Sequence, residues 1–78
     1  MKTYLFPIEF IEEDDGRWSV YVPELTAQGA TSWGRTREEA LSNIQEVMQM
    51  LIEEWLEDGK PLPAAIQVSD RPTAAISV

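Results

Sequence analysis

The chain of 78 residues contains no cysteine and no histidine. The absence of cysteine excludes a disulfide framework and a thiolate metal site. The absence of both also removes the commonest nucleophiles, general bases and zinc ligands of enzymes. A serine nucleophile would need Lys2 or Lys60 as its base, and neither lies in a context that suggests this role. We therefore expect no catalytic residue, no metal site and no cofactor, and we predict that the protein is not an enzyme.

Basic residues are few, because six Lys and Arg stand against 14 Asp and Glu, for a net charge of −8. Nucleic-acid phosphates are bound mainly by Lys and Arg, so this balance opposes direct binding to nucleic acid. An acidic surface is most often a means of staying soluble. Its more specific interpretation is the recognition of a basic protein.

Long apolar runs are also lacking. No basic segment followed by an apolar one opens the chain, and no run approaches the roughly 20 apolar residues of a membrane-spanning helix. We therefore predict a cytoplasmic protein that neither crosses a membrane nor is secreted by a standard signal. Residues 1–78 are expected to form a single domain. Because the core of so short a chain is small, we also expect a homodimer or a higher homo-oligomer.

Alternating apolar residues predict strands in the first 34 residues. Residues 3–12 are predicted to form one strand, interrupted only by the missing N–H of Pro7. Residues 13–16 form a turn in which Gly16 can adopt a positive φ angle. Residues 17–22 and 29–34 are predicted to form two further strands, which gives a three-stranded antiparallel meander. The face expected to be buried carries Tyr4, Phe6, Ile8, Phe10, Trp18, Val20 and Val22.

A helix is predicted over residues 37–58, because apolar residues recur there at steps of three and four. Gly59 is the natural residue after its C-cap, and Pro61 prevents its continuation. Residues 60–72 are interpreted as a connection and residues 73–78 as a final strand. The expected fold class is α+β, in the order β-β-β-α-β. The long helix packs on one face of the meander, and the C-terminal strand joins the sheet.

Residues 23–40 carry the most specific pattern of the chain. Pro23-Glu24-Leu25 is followed by a short loop, by two glycines at 29 and 34, and by Thr36-Arg37-Glu38-Glu39-Ala40. Thr36 and Glu39 have the spacing of a capping box, in which each side chain bonds the backbone N–H of the other residue. The whole stretch resembles the HicB family, the antitoxins of HicA–HicB toxin–antitoxin systems, with the pattern P-[DE]-L, G-C-x-T-x-G and T-x-E-E-A. Ala30 replaces the cysteine of many members, and the loop at 26–28 is longer than usual.

The resemblance implies a partial version of the ribonuclease H fold and a function without chemistry. Its expected partner is a small basic ribonuclease toxin of the HicA type, whose RNA-binding and catalytic surface the protein would cover. The alternative is a solitary HicB-like module that acts in homo-oligomeric or adaptor interactions and has no toxin. A carboxylate nuclease that uses Mg²⁺ is a third interpretation, but the acidic residues do not converge on one predicted surface.

Candidate partner-binding residues follow from the distribution of acids and aromatics. No basic residue lies between Arg37 and Lys60, and the acids near the end of the helix oppose its dipole, at about 0.3–1 kcal/mol each. They form either a solvated face or a docking surface for a cationic protein. Trp33 is predicted either to lie in the core or to anchor an interface. The candidate residues are Asp14, Asp15, Trp33, Glu46, Glu53 and Glu57.

Many members of the HicB family continue into a helix-turn-helix or ribbon-helix-helix domain that binds DNA. After the predicted helix this chain carries one predicted strand and no basic stripe, so we expect no C-terminal DNA-binding domain. The purified chain should therefore leave the mobility of its own promoter DNA unchanged at physiological salt. A retarded band in that gel-shift assay would contradict the expectation.

Overall fold

Three strands of the N-terminal half form an antiparallel meander in a computed structural model that describes residues 2–69. A long helix follows the meander, and a short strand follows the helix, so the expected α+β class and its antiparallel three-stranded sheet are confirmed. The elements are β1 (Thr3–Leu5), β2 (Glu9–Glu12), β3 (Trp18–Tyr21), a 3₁₀ helix (Pro23–Gln28), β4 (Thr31–Gly34), α1 (Arg37–Glu57) and β5 (Gln67–Ser69).

The prediction of one continuous strand over residues 3–12 is wrong in the number of strands. The chain forms two strands there, and Pro7 lies in the gap between them. Proline has no N–H to donate to a ladder and fixes its own φ angle, which favours a break at this point. β2 pairs with β3, whereas β1 lies in a separate two-stranded sheet with β5. The alternation continues through the break, since Tyr4, Phe6, Ile8 and Phe10 all pack against the core.

The segment predicted as a connection, residues 60–72, contains strand β5. Gln67–Ser69 pairs antiparallel with β1, and Thr3 lies opposite Ser69. A strand that follows the helix therefore does pair with the N-terminal strand, and it lies within the segment that was predicted to be a connection. Its three residues are too few to show an alternating pattern, so the partner strand determines its conformation. The strand predicted over residues 73–78 lies outside the described residues.

The turn between β2 and β3 has the predicted form. The Glu13 N–H donates to the Arg17 carbonyl oxygen over 2.7 Å, and the Gly16 N–H donates to the Glu13 carbonyl oxygen over 3.0 Å. Gly16 has a φ angle of 89°, which glycine adopts without steric cost. This arrangement is typical of a three-residue hairpin loop, and it projects Asp14 and Asp15 into solvent at the end of the sheet.

A 3₁₀ helix over Pro23–Gln28 was not predicted from the sequence. Proline is favoured at the start of a helix, where its missing N–H has no partner to lose. Leu25 is only 2% exposed, so the short helix inserts one apolar side chain into the core. Gly29, with a φ angle of 90°, then ends the helix and turns the chain into β4.

Helix α1 begins and ends close to the predicted residues. The Thr36 hydroxyl accepts from the Glu39 N–H over 3.0 Å, which confirms half of the capping box. The Glu39 carboxylate bonds the N–H of Arg35 rather than that of Thr36, over 3.2 Å. At the other end, the Lys60 N–H bonds the Trp55 carbonyl oxygen over 3.0 Å beyond the positive φ angle of Gly59. This Schellman-type ending agrees with the predicted role of that glycine.

The core lies between helix α1 and one face of the meander. The helix contributes its buried stripe of Ala40, Ile44, Met48 and Ile52. The remaining buried apolar residues are Val20, Val22, Leu25, Ala30 and Ile66. Trp18, which was predicted to lie on the buried face of the meander, packs against this cluster, and so does Trp55 of the helix.

Gly34 allows the closest approach of the two layers. A Cβ atom built on Gly34 would lie 2.9 Å from the Ala40 Cα and closer still to the Ala40 nitrogen. Backbone atoms cannot move aside as a flexible side chain can, so only glycine fits there. The two glycines of the pattern over residues 29–34 therefore have different physical reasons, namely a positive φ angle at Gly29 and a close contact at Gly34.

Replacement of Gly34 by alanine should destabilise the fold by about 2–3 kcal/mol, because the first turn of α1 must move away from β4. Gly59→Ala is the matched control. Its Cβ atom would meet open space and only the left-handed backbone would oppose it, at about 1 kcal/mol. The free energy of unfolding of both variants is measured by urea denaturation. The comparison is valid if the m-value is the same in both variants. Equal losses of stability would contradict the proposed steric role of Gly34.

Candidate functional site

The face of the meander opposite the helix remains exposed and carries apolar side chains. We call it the outer sheet face, and its residues are Glu9, Ile11, Ser19, Tyr21, Thr31 and Trp33. Strand register aligns Ile11, Ser19 and Trp33 in one row across the three strands. Ile11 is 47% exposed and Trp33 is 52% exposed, so Trp33 does not lie in the core. Large side chains exposed together on a sheet are typical of an interaction surface.

Two short hydrogen bonds hold polar side chains on the outer sheet face. The Tyr21 hydroxyl donates to a Glu9 carboxylate oxygen over 2.6 Å, across the β2–β3 pair. The Ser19 hydroxyl donates to a Glu13 carboxylate oxygen over 2.7 Å. The bond to the Glu9 carboxylate raises the pKa of the Tyr21 phenol above its ordinary 10.0, because it favours the protonated donor. Both carboxylates are thereby oriented along the face.

Arg17 lies over Trp33 at one end of the outer sheet face. Its guanidinium carbon is 5.4 Å from the centre of the indole ring, within the range of a cation–π contact. The Arg17 Nε also donates to an Asp15 carboxylate oxygen over 2.7 Å, and the Arg17 backbone N–H donates to the other oxygen over 3.1 Å. The bond from the backbone N–H, together with that from the guanidinium, lowers the pKa of the Asp15 carboxyl.

The edge of the meander beside Trp33 is tied to the helix. The Asn43 side-chain amide donates to the Trp33 carbonyl oxygen over 2.7 Å. An exposed edge strand readily pairs with another chain, and this bond occupies one of the acceptors that such pairing would need. The bond from Asn43 therefore removes one acceptor from the edge of β4.

A shallow groove of about 570 Å³ runs along this end of the outer sheet face. It brings together three of the six predicted site residues, Asp14, Asp15 and Trp33, which lie among its lining residues. Arg17, which also lines the groove, was not predicted as a site residue. Arg17 lies two residues after Asp15 at the hairpin turn, and this spacing could have indicated that the two side chains pair.

The other three predicted site residues, Glu46, Glu53 and Glu57, are exposed on helix α1. They lie on the side of the helix away from its buried stripe, which we call the acidic helix face. The helix covers the inner face of the meander. The acidic helix face and the outer sheet face therefore point to opposite sides of the molecule. The six predicted residues thus form two separate surfaces and not one.

The acidic helix face also carries an exposed apolar residue. Met50 is 67% exposed and lies four residues after Glu46, three before Glu53 and seven before Glu57, so all four share one side of the helix. The Gln49 amide donates to a Glu53 carboxylate oxygen over 3.2 Å. Met50 was not predicted as a site residue, although its helical spacing from the three acids places it on this surface.

Within residues 2–69, no three or more Asp and Glu side chains converge closely enough to hold a metal ion. The acids of the hairpin turn point into solvent, and those of the acidic helix face are spread along one side of α1. None of the helices among the described residues has the length and apolar character needed to cross a membrane.

Comparison with known protein families matches residues 6–74, most of the chain, to the family described as "HicB_like antitoxin of bacterial toxin-antitoxin system". Neither the curated proteins nor the solved structures yielded a match. The family match confirms the resemblance that residues 23–40 indicated, and it includes β2, β3, β4, helix α1 and β5.

The Tyr21 phenol should titrate above pH 10, because its folded-state pKa is raised by Glu9. The stabilisation that accompanies this shift is complete below the unfolded pKa and is lost as the pH rises through the folded value. Glu9→Gln should return the titration towards 10.0, as followed by the NMR signals of the Tyr21 ring. Glu12→Gln removes a charge from the same strand at a residue that lies opposite Trp18, and it should leave the titration unchanged. An unchanged titration in Glu9→Gln would contradict the role of this bond.

Proposed function

The chain belongs to the HicB-like antitoxin family, and from that membership we propose that it binds a small basic ribonuclease toxin of the HicA type. It inhibits this toxin by covering the surface on which the toxin binds and cleaves RNA. The family match is the observation that carries the proposal. The net charge of −8 supports a basic partner, because complementary charge speeds association and selects among partners.

Inhibition of this kind requires binding and no chemistry from the antitoxin. A ribonuclease holds RNA through Lys and Arg that contact phosphates. A carboxylate-rich surface competes for the same cations, and the folded domain behind it excludes the substrate sterically. The proposed role is therefore non-enzymatic and needs no cofactor. It would be exercised in the cytoplasm, where the toxin's RNA substrates are found.

The six predicted residues give two alternative candidate surfaces for recognition of the toxin. An interface of ordinary size buries about 800 Å² on each partner. A small toxin that covers the outer sheet face and its turn would leave the acidic helix face free. A toxin that covers the acidic helix face would leave the outer sheet face free. Asp14, Asp15 and Trp33 therefore form one testable set, and Glu46, Glu53 and Glu57 form another.

A second candidate function is that of a homo-oligomeric or adaptor module without a toxin. The exposed Ile11 and Trp33 favour it, as does a second groove between the N-terminal segment and helix α1. That groove includes the apolar side chains of Tyr4, Phe6, Ile52 and Leu56. Like charges oppose it, because each copy carries a net charge of −8 into the contact.

Co-expression of the chain with the small gene immediately beside its own tests the proposed function. We expect a stable complex that co-purifies and restores growth that the neighbouring protein alone arrests. The purified antitoxin should also stop cleavage of RNA by that protein at equimolar amounts. The absence of both a complex and toxicity would contradict the proposal and favour the homo-oligomeric module, whose mass in solution is then measured by light scattering.

A further inference from the structure

We infer that the outer sheet face is a receptor for an Arg or Lys side chain of the basic partner, and that Arg17 occupies this receptor in the free chain. The inference deepens the proposed function and rests on it. It assigns the contact to one of the two candidate surfaces and adds a residue, Arg17, that competes with the partner. Three properties of the surface support this assignment, namely its geometry, its charge and the residue types at its centre.

The geometry of the receptor is defined by the Arg17 guanidinium, the cation that occupies it in the free chain. The guanidinium of Arg17 lies 5.4 Å from the centre of the Trp33 ring and bonds an Asp15 carboxylate oxygen over 2.7 Å. An aromatic face combined with a carboxylate at its rim is the arrangement that binds guanidinium and ammonium groups. The side chains of Arg17 and Asp15 are both more than half exposed, so the cation can leave without opening the core.

The charge of the groove is not neutralised by Arg17. Three carboxylates, those of Glu13, Asp14 and Asp15, line it together with the one guanidinium. Within residues 2–69, the structure contains only the ion pair between Arg17 and Asp15. Glu13 is oriented by the Ser19 hydroxyl, which brings no charge. An incoming cation therefore meets carboxylates that remain negative, even before Arg17 is displaced.

Residue types favour the outer sheet face over the acidic helix face as the contact. Interface residues that contribute most to affinity are enriched in Trp, Tyr and Arg, and Trp33, Tyr21 and Arg17 lie together on this face. The acidic helix face presents Met50 among flexible Glu side chains, each of which would lose rotamer freedom on contact. Its charges act on the encounter rate at a distance, as expected for acids outside the interface.

A second copy of the chain is a poorer occupant of the outer sheet face than a basic partner. Two such faces in contact would bring the carboxylates of Glu9, Glu13 and Asp15 close to the acidic groups of the other copy. Like charges placed opposite one another in an interface disfavour the complex. A partner rich in Arg and Lys instead pairs with these carboxylates and places a cation over Trp33.

Arg17 lowers the affinity of the receptor for an external cation, because each binding event must first displace it. The apparent affinity is reduced by the fraction of chains in which the site is free. A solvent-exposed cation–π contact and a solvent-exposed ion pair are each of modest strength. Removal of the Arg17 guanidinium should therefore tighten binding of an external cation by about three- to tenfold.

The test is a titration of the ¹⁵N-labelled chain with the capped peptide Ac-Gly-Arg-Gly-Arg-Gly-NH₂ at low salt. The three tryptophans provide three indole N–H signals, of which that of Trp33 reports on the outer sheet face. We expect shifts at Trp33, Ile11 and Ser19, with smaller shifts over residues 46–57. Arg17→Gln should tighten the dissociation constant three- to tenfold, or about 0.7–1.4 kcal/mol.

Matched variants separate the receptor from net charge. Lys60→Gln changes the net charge by the same amount as Arg17→Gln but lies beyond the end of helix α1, so it should change the affinity less than twofold. Trp33→Leu should weaken peptide binding about fivefold or more. The affinity of Trp33→Phe should lie between that of Trp33→Leu and that of the native chain. Unchanged amide signals elsewhere show that each variant remains folded.

The outcomes also separate this inference from the proposed function. Shifts that concentrate over residues 46–57, equal effects of Arg17→Gln and Lys60→Gln, or no shift at millimolar peptide would each overturn the inference. Any of these results together with a growth-rescuing toxin complex would leave the proposed function intact. Peptide binding at Trp33 without a toxin partner would instead overturn the proposed function and identify a cation receptor that serves another basic protein.

Discussion

The close approach of helix α1 to strand β4 at Gly34 is the constraint on which the rest of the structure depends. Only a residue without a Cβ atom allows the backbone of Ala40 to come so near. The contact fixes which face of the meander the helix covers, and it aligns the buried stripe of α1 with Val20 and its neighbours. By the alternation of side chains along a strand, Trp33 then points to the uncovered face.

A two-layer domain of this size has two large exposed surfaces, and both are acidic in this chain. Within residues 2–69, neither surface brings three or more acids close enough together to hold a metal ion. What the surfaces offer is shape, charge and, on the outer sheet face, exposed aromatic area. These properties agree with membership of an antitoxin family.

Most of the local structure could be predicted from residues close together in the chain. Thr36, Gly59 and the apolar spacing between them are sufficient to place helix α1, and Gly16 is sufficient to place the hairpin turn. Three features could not be predicted in this way. A single strand was predicted across Pro7, where the chain breaks into two strands. The 3₁₀ helix depends on burial of Leu25, and strand β5 exists through pairing with residues more than 60 positions earlier.

The sequence by itself determined the family, the approximate bounds of the helix and most of the side chains that face the core. Each of these depends on composition or on periodicity within one element. Only the tertiary structure decided that Asp14, Asp15 and Trp33 form one surface and Glu46, Glu53 and Glu57 another, and that Arg17 lies over an indole. The physical reason is that strand register and the packing of one layer on another join residues distant in the chain, and no local pattern records which faces meet.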